Sequence, residues 1–175
     1  MVSLKYVEIL FFKNSDISLI PIIKFDDLRE QLYAINKDLF GETPLLKKAN
    51  KFLDERLTNA KQCLLDLQSL CQHGHFELES HLETVREMLA SIGEAHSAWN
   101  TAELLRRDGV NACFVDLTGW RTNKHISLDE RIRLAFDNID LDTQLPIVTG
   151  YAHSDSAVSY THLRAHETRH DIVCR

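Results

Sequence analysis

Two short segments place small, hydroxyl and acidic residues where a backbone could meet a ligand. One is Ser91-Ile92-Gly93-Glu94, which precedes a long helical pattern, and the other is Thr149-Gly150, which follows an apolar run. A helix that begins near Gly93 would present backbone N–H groups and the Glu94 carboxylate to a ligand, and a carboxylate suits an ammonium group. A purely structural alternative is that Ser91 is an N-cap, Gly93 a helix-start glycine and Glu94 a first-turn acid.

The apolar pattern predicts helices through most of the first 107 residues. One helix is expected from about Phe25, and the sequence FGETP at 40–44 interrupts it. A second helix is expected over 45–72, a third over 76–91, and a fourth from Gly93 to an end that Gly109 caps. The buried side of the second helix is predicted to comprise Leu46, Phe52, Leu53, Leu57, Cys63, Leu64, Leu67 and Leu70.

The pattern then changes to strand, helix, strand. Residues 112–117 and 145–151 are short apolar runs that predict two buried strands. Between them, Ser127 followed by Glu130 is a capping box that opens a helix. This order predicts a right-handed crossover in a mostly parallel sheet, with ligands at the strand ends, Thr118-Gly119 and Thr149-Gly150. The fold class is therefore expected to be α/β.

The composition excludes several classes of protein. The chain has 175 residues and a formal charge of −6, which argues against nucleic acid or an anionic membrane as a partner. The apolar start carries charged residues and has no signal-peptide pattern, and four cysteines without framework spacing favour reduced thiols in the cytoplasm. Cys71, His73 and His75 make only a weak zinc motif, so we predict no metal site on these residues.

The last 18 residues, 158–175, do not read like part of a folded domain. Back-translation of this segment gives a string that resembles the transposase adapter of DNA sequencing libraries, with a variable index at its usual place. We interpret residues 158–175 as adapter-derived and disordered, the alternative being a natural histidine-rich tail. The even spacing of His162, His166 and His170 is therefore not taken as a metal site.

The sequence from Ser91 to Leu117, together with LPIVTGY at 145–151, resembles the aspartate kinases of the amino-acid-kinase family. The family pattern is Ser-x-Gly-Glu, two residues, Ser-Ala, a helix that ends in Gly, a strand, and later a Pro-Val-Val-Thr-Gly-Phe strand end. The resemblance covers about 33–154, and in this fuller form it extends to the specialised aspartokinases of ectoine biosynthesis. It implies a partial three-layer α/β/α fold with a mostly parallel sheet and a large helical section.

The resemblance also implies substrates and site residues. The family transfers the γ-phosphoryl group of ATP, with Mg²⁺, to the side-chain carboxylate of L-aspartate, and full-length members are expected to be homo-oligomers. Glu94 is implied to contact the α-ammonium group of aspartate, Gly93 to let the backbone approach the substrate, and Thr149 and Gly150 to lie beside it. Ser91, in the same segment, is counted with them as a substrate-binding residue, and no residue of this chain is assigned as catalytic.

Two elements of the family pattern have no counterpart here: the N-terminal Lys-Phe/Tyr-Gly-Gly-Thr-Ser loop and the later Arg-Gly-x-Ser segment. We therefore expect residues 31–157 to be part of a catalytic domain that is inactive by itself, and residues 1–30 to be an uncertain, misframed start. Two alternatives stay open. One is another phosphotransferase of the same family, and the other is a small helical interaction module without catalysis.

Overall fold

The computed structural model describes residues 23–71, 79–119 and 126–150. They form helices α1 (Ile23–Phe40), α2 (Pro44–Cys71) and α3 (Glu79–Arg107), strand β1 (Ala112–Val115), helix α4 (Leu128–Phe136) and strand β2 (Leu145–Val148). The chain divides into two compact units, one up to His96 and one from Ser97 onward. The tail at 158–175, the two histidines of the weak zinc motif and residues 1–22 of the uncertain start fall outside the described residues.

The first unit is helical. Tyr33 donates a hydrogen bond to Asp54 and Asn36 donates one to Asn50 over 2.9 Å, so α1 and α2 pair in opposite directions. The break predicted at 40–44 is confirmed. On α2 the buried positions follow a spacing of three or four residues, with Arg56 and Leu57 as one adjacent pair, as expected for one helix face. They are Ala49, Leu53, Arg56, Leu57, Ala60 and Leu64.

Part of the predicted buried side of α2 is wrong. Cys63 is exposed, and Leu70 is 47% exposed. Both lie off the stripe that Leu53, Leu57 and Leu64 define, and the small residue Ala60 is buried in their stead. Apolar character alone does not place a residue inside, because the buried stripe of a helix is narrower than the set of its apolar residues.

The second unit contains the predicted strand-helix-strand segment. β1 and β2 pair in parallel, with Ala112 opposite Leu145 and Val115 opposite Val148. Val115 and Leu117 form the centre of its core. The partly buried residues that pack against them come mainly from α4 and its C-terminal side: Leu128, Ile132, Ala135, Phe136 and Ile139. The coarse α/β prediction with a parallel sheet is therefore confirmed.

The predicted helix ends of this unit are also present. At the end of α3 the N–H of Val110 donates to Leu105 and that of Gly109 to Arg106, a Schellman pattern in which Gly109 has a φ of 89°. At the start of α4 the Ser127 hydroxyl accepts from the Glu130 N–H over 3.2 Å. The Glu130 carboxylate, the other half of the predicted capping box, accepts hydrogen bonds from the Arg133 guanidinium group through both of its oxygens.

The prediction that β2 is a buried strand is wrong at its start. Leu145 is 48% exposed, and the next three residues are only half-buried. Among the described residues the sheet has two strands, so β2 has a single neighbour, β1. The side chains of α4 pack mainly against Val115 and Leu117 on the β1 side, so β1 is more fully covered than β2.

Candidate functional site

The carboxyl ends of the two strands are joined by a side chain. The ladder continues past β2, where the Thr149 N–H donates to the Val115 carbonyl over 3.1 Å. The next N–H on the β1 side, that of Leu117, donates to the Thr149 hydroxyl oxygen, also over 3.1 Å. Thr149 is 1% exposed. Its hydroxyl therefore holds the two strand ends together, and the observed strands are shorter than predicted because a side chain takes the place of a carbonyl in the ladder.

A tight turn follows β1. The Asp116 carboxylate accepts hydrogen bonds from the backbone N–H of Thr118, over 2.9 Å, and from its hydroxyl group. Gly119 comes next, with a φ of 77°. Residues other than glycine adopt this backbone conformation only with strain. The Asp116 side chain and Gly119 thus turn the chain sharply at the end of the strand, where ligands of parallel sheets bind.

The prediction that a helix begins near Gly93 is wrong, because Gly93 lies in the interior of α3. Ser91 is not an N-cap: it is 1% exposed, and its hydroxyl donates to the Met88 carbonyl over 2.7 Å, one turn earlier. A glycine inside a helix costs only about 1 kcal/mol relative to alanine. Burial of Leu89, Ile92 and Ala95 on the packed face supplies more than that, so the helix continues.

Gly93 and Glu94 lie on the exposed face of α3. A Cβ atom built on Gly93 would have no other atom within 4 Å, so no described part of this chain needs the absence of a side chain there. The carboxylate of Glu94 is therefore presented on a helix surface next to bare backbone. This arrangement leaves room for a small molecule to approach the helix, and it does not use the helix N-terminus that the sequence suggested.

The opposite face of α3 carries a buried polar contact. The His96 Nε2 atom lies 2.7 Å from the Asn36 amide oxygen, and the amide nitrogen of Asn36 donates to Asn50. His96 is 5% exposed, and this burial lowers its pKa from 6.5 to about 4. Because the oxygen of Asn36 has no proton to donate, the neutral imidazole donates from Nε2. The contact joins three helices within the first unit.

The predicted site residues fall into two groups. Ser91, Gly93 and Glu94 belong to the first compact unit, and Thr149 and Gly150 to the second, beside Thr118 and Gly119. Sequence reasoning missed Arg131, which is 5% exposed and packs against Gly119. A signal was present, since an arginine three residues after Leu128 and four before Ala135 stands on the apolar face of α4.

Mg²⁺ is bound in proteins by carboxylate and other oxygen ligands. In these three ranges no group of three or more histidine, cysteine, aspartate or glutamate side chains could hold a metal ion. Asp116 is engaged with Thr118, and Glu130 with Arg133. We therefore assign no metal ligand to this part of the chain.

A parallel strand-helix-strand unit places the chain in the α/β class of proteins. The chain is similar to the curated protein "Aspartate kinase Ask_Ect" of Stutzerimonas stutzeri (strain A1501), with 43% identity over 128 residues. The match covers 73% of this chain and 27% of that protein, so the chain spans about a quarter of its length. The resemblance to aspartate kinases that the sequence predicts is thereby confirmed.

Comparisons with family models and with solved structures identify no further relative. No family model matches the chain, and no solved structure matches it. Within the described ranges, every helix is too short or too polar to span a membrane.

Proposed function

We propose that this chain is a segment of an aspartate kinase, which transfers the γ-phosphoryl group of ATP to the side-chain carboxylate of L-aspartate and forms 4-phospho-L-aspartate. The observation that carries this proposal is the 43% identity to an aspartate kinase over 128 residues. The parallel strand pair with polar residues at its carboxyl ends supports it, since substrates of α/β enzymes bind there.

The reaction places particular demands on the protein. The attacking group is a carboxylate, which is already an anion at neutral pH, so a strong general base is not needed. Catalysis depends on holding two negatively charged reactants in line and on neutralising their charge. Mg²⁺ and a lysine would offset that charge in the family, and we assign neither role to the described residues.

Within this function we assign Glu94 to the amine of the substrate. A carboxylate on an exposed helix face is accessible, and the bare backbone of Gly93 beside it leaves space for a small amino acid. A charge-assisted hydrogen bond to an ammonium group contributes about 1.5–3 kcal/mol. Gly150 would contact substrate at the strand end, and Thr149, which is buried, would hold that strand end in position. Ser91, which is also buried, would support the helix below Glu94.

Further parts of the proposal follow from the resemblance. The whole protein would serve ectoine biosynthesis in the cytoplasm, as a homo-oligomer. The 175-residue chain by itself would be inactive, because the Lys-containing phosphate loop of the family has no counterpart in it.

The proposal is tested in a chimera, in which this chain's matched stretch replaces the equivalent stretch of the Stutzerimonas aspartate kinase. Glu94→Gln keeps the size of the side chain and removes its charge. We expect the KM for aspartate to rise at least tenfold, while the KM for ATP stays within twofold, because only aspartate carries the ammonium group. Steady-state kinetics at saturating co-substrate measure both constants.

Glu55→Gln is the matched control, since Glu55 is an exposed glutamate on another helix, α2. Both KM values should be unchanged in that variant. An unchanged KM for aspartate in Glu94→Gln would remove Glu94 from the substrate site, whereas a chimera that turns over without aspartate would contradict the kinase proposal itself.

A further inference from the structure

Arg131 is a charged side chain that is buried with two of its three nitrogen atoms unpartnered among the described residues. It is 5% exposed, and its Nε and Nη1 atoms have no hydrogen-bond partner in the described part of the chain. A guanidinium group keeps its proton at any pH that a protein tolerates, so burial cannot neutralise it. A buried charge of this kind calls for an acceptor of opposite charge.

The carboxylates of Glu130 and Asp116 have other partners. Both oxygens of Glu130 bind Arg133, the exposed arginine two residues after Arg131. Asp116 accepts from the backbone and the hydroxyl of Thr118. No ion pair joins Arg131 to any residue that the structure describes. The positive charge is therefore left for a group that these residues do not supply.

The guanidinium group lies against the turn at the end of β1. A Cβ atom placed on Gly119 would clash with Nη1 of Arg131 and lie 2.9 Å from its Cζ, so a side chain at position 119 would force the guanidinium group to move. The positive φ of Gly119 sets the same requirement independently. The packing thus fixes the charge of Arg131 at the carboxyl end of a parallel strand, the edge where α/β sheets bind ligands.

We propose that Arg131 and the Thr118-Gly119 turn form a binding site for an oxyanion, the carboxylate or phosphate group of a small ligand. Arg131 supplies the charge and the N–H donors, and Gly119 lets the guanidinium group approach the turn. The proposal depends on the geometry of the second unit and does not require the kinase assignment. Under that assignment, the oxyanion would belong to one of the two substrates.

The test is a titration of the ¹⁵N-labelled 175-residue chain, followed by NMR. Inorganic phosphate, L-aspartate and, as a reference, chloride are added at equal ionic strength and pH. We expect saturable shifts of the Arg131 Nε–H and Gly119 N–H signals with phosphate or with L-aspartate, and none with chloride. The anion with the lower Kd identifies the source of the oxyanion as a phosphoryl group or a carboxylate.

Variants separate this site from general attraction to basic residues. Arg131→Gln should raise the Kd at least tenfold, while Arg133→Gln, which removes an exposed and paired arginine, should leave it unchanged. If Arg131→Gln does not fold, Arg131→Lys replaces it; that variant keeps the charge, loses Nε, and should bind at least threefold more weakly. Equal Kd values for Arg131 variants and the parent chain, or unsaturable shifts spread over exposed lysines and arginines, would overturn the proposal.

Discussion

Several polar and charged residues of this chain are buried. His96 is the clearest case, since it is 5% exposed and Asn36 of α1 accepts its hydrogen bond. Glu94, two residues earlier, lies on the exposed face of the same helix. The segment that resembles the kinase motif therefore has one polar residue that fixes the helix in place and another that is open to a ligand.

The burial of His96 predicts a pH-dependent stability. Its pKa is about 4 in the folded chain and about 6.5 in the unfolded chain, so the unfolded state binds the proton first. This contribution to the free energy of unfolding is complete above the unfolded pKa and is lost as the pH falls towards 4. Between pH 7 and pH 5 we expect a loss of about 2 kcal/mol, measured by urea denaturation.

His96→Gln is the control for this effect, because glutamine can donate a hydrogen bond and does not titrate. Its stability is expected to change much less between pH 7 and pH 5, although carboxylates of the chain titrate at lower pH in both proteins. Parallel curves for the parent chain and His96→Gln would show that His96 is not buried in neutral form.

Among the secondary-structure elements, helix α3 contains one glycine in its interior and is followed by another that caps it. Gly109 ends α3 with a positive φ and two backbone hydrogen bonds, whereas Gly93 lies inside the same helix. Around both positions a Cβ atom would meet open space. The two sites therefore differ in backbone conformation and not in steric room.

This pair of glycines makes a matched prediction for α3. Gly93→Ala should raise the free energy of unfolding by about 1 kcal/mol, because alanine is the better helix former. Gly109→Ala should lower it by about 1–2 kcal/mol, since an L-residue resists the left-handed conformation. Chemical denaturation of both variants measures the two changes, and a destabilised Gly93→Ala would argue that α3 is interrupted at that position.

Across the whole molecule, the sequence predicted those features of the fold that depend on short-range interactions along the chain. The helix break at 40–44, the Gly109 cap and the Ser127 cap each follow from a few neighbouring residues. The parallel strand pair follows from the order strand, helix, strand. The continuity of α3 through Ser91 and Gly93 could not be predicted in this way. The residues Ser-x-Gly-Glu favour a helix start there, but burial of Ile92 and Ala95 stabilises an uninterrupted helix.

The candidate site divides in the same way. Thr149 and Gly150 were expected at a strand end from the change of apolar pattern, and they follow β2 as expected. The burial of Arg131 depends on the turn at Gly119, which comes from a different segment of the chain. No local pattern encodes such a contact, so only the folded arrangement of β1 and α4 reveals it.

The central claim is that this chain forms a working part of an aspartate kinase. Its most direct test is the turnover of the chimera with the Stutzerimonas enzyme, followed as ADP release and as hydroxylamine trapping of the acyl phosphate. We predict turnover that requires both ATP and L-aspartate, and none from the 175-residue chain alone. A chimera that folds yet forms no acyl phosphate from aspartate would contradict the account.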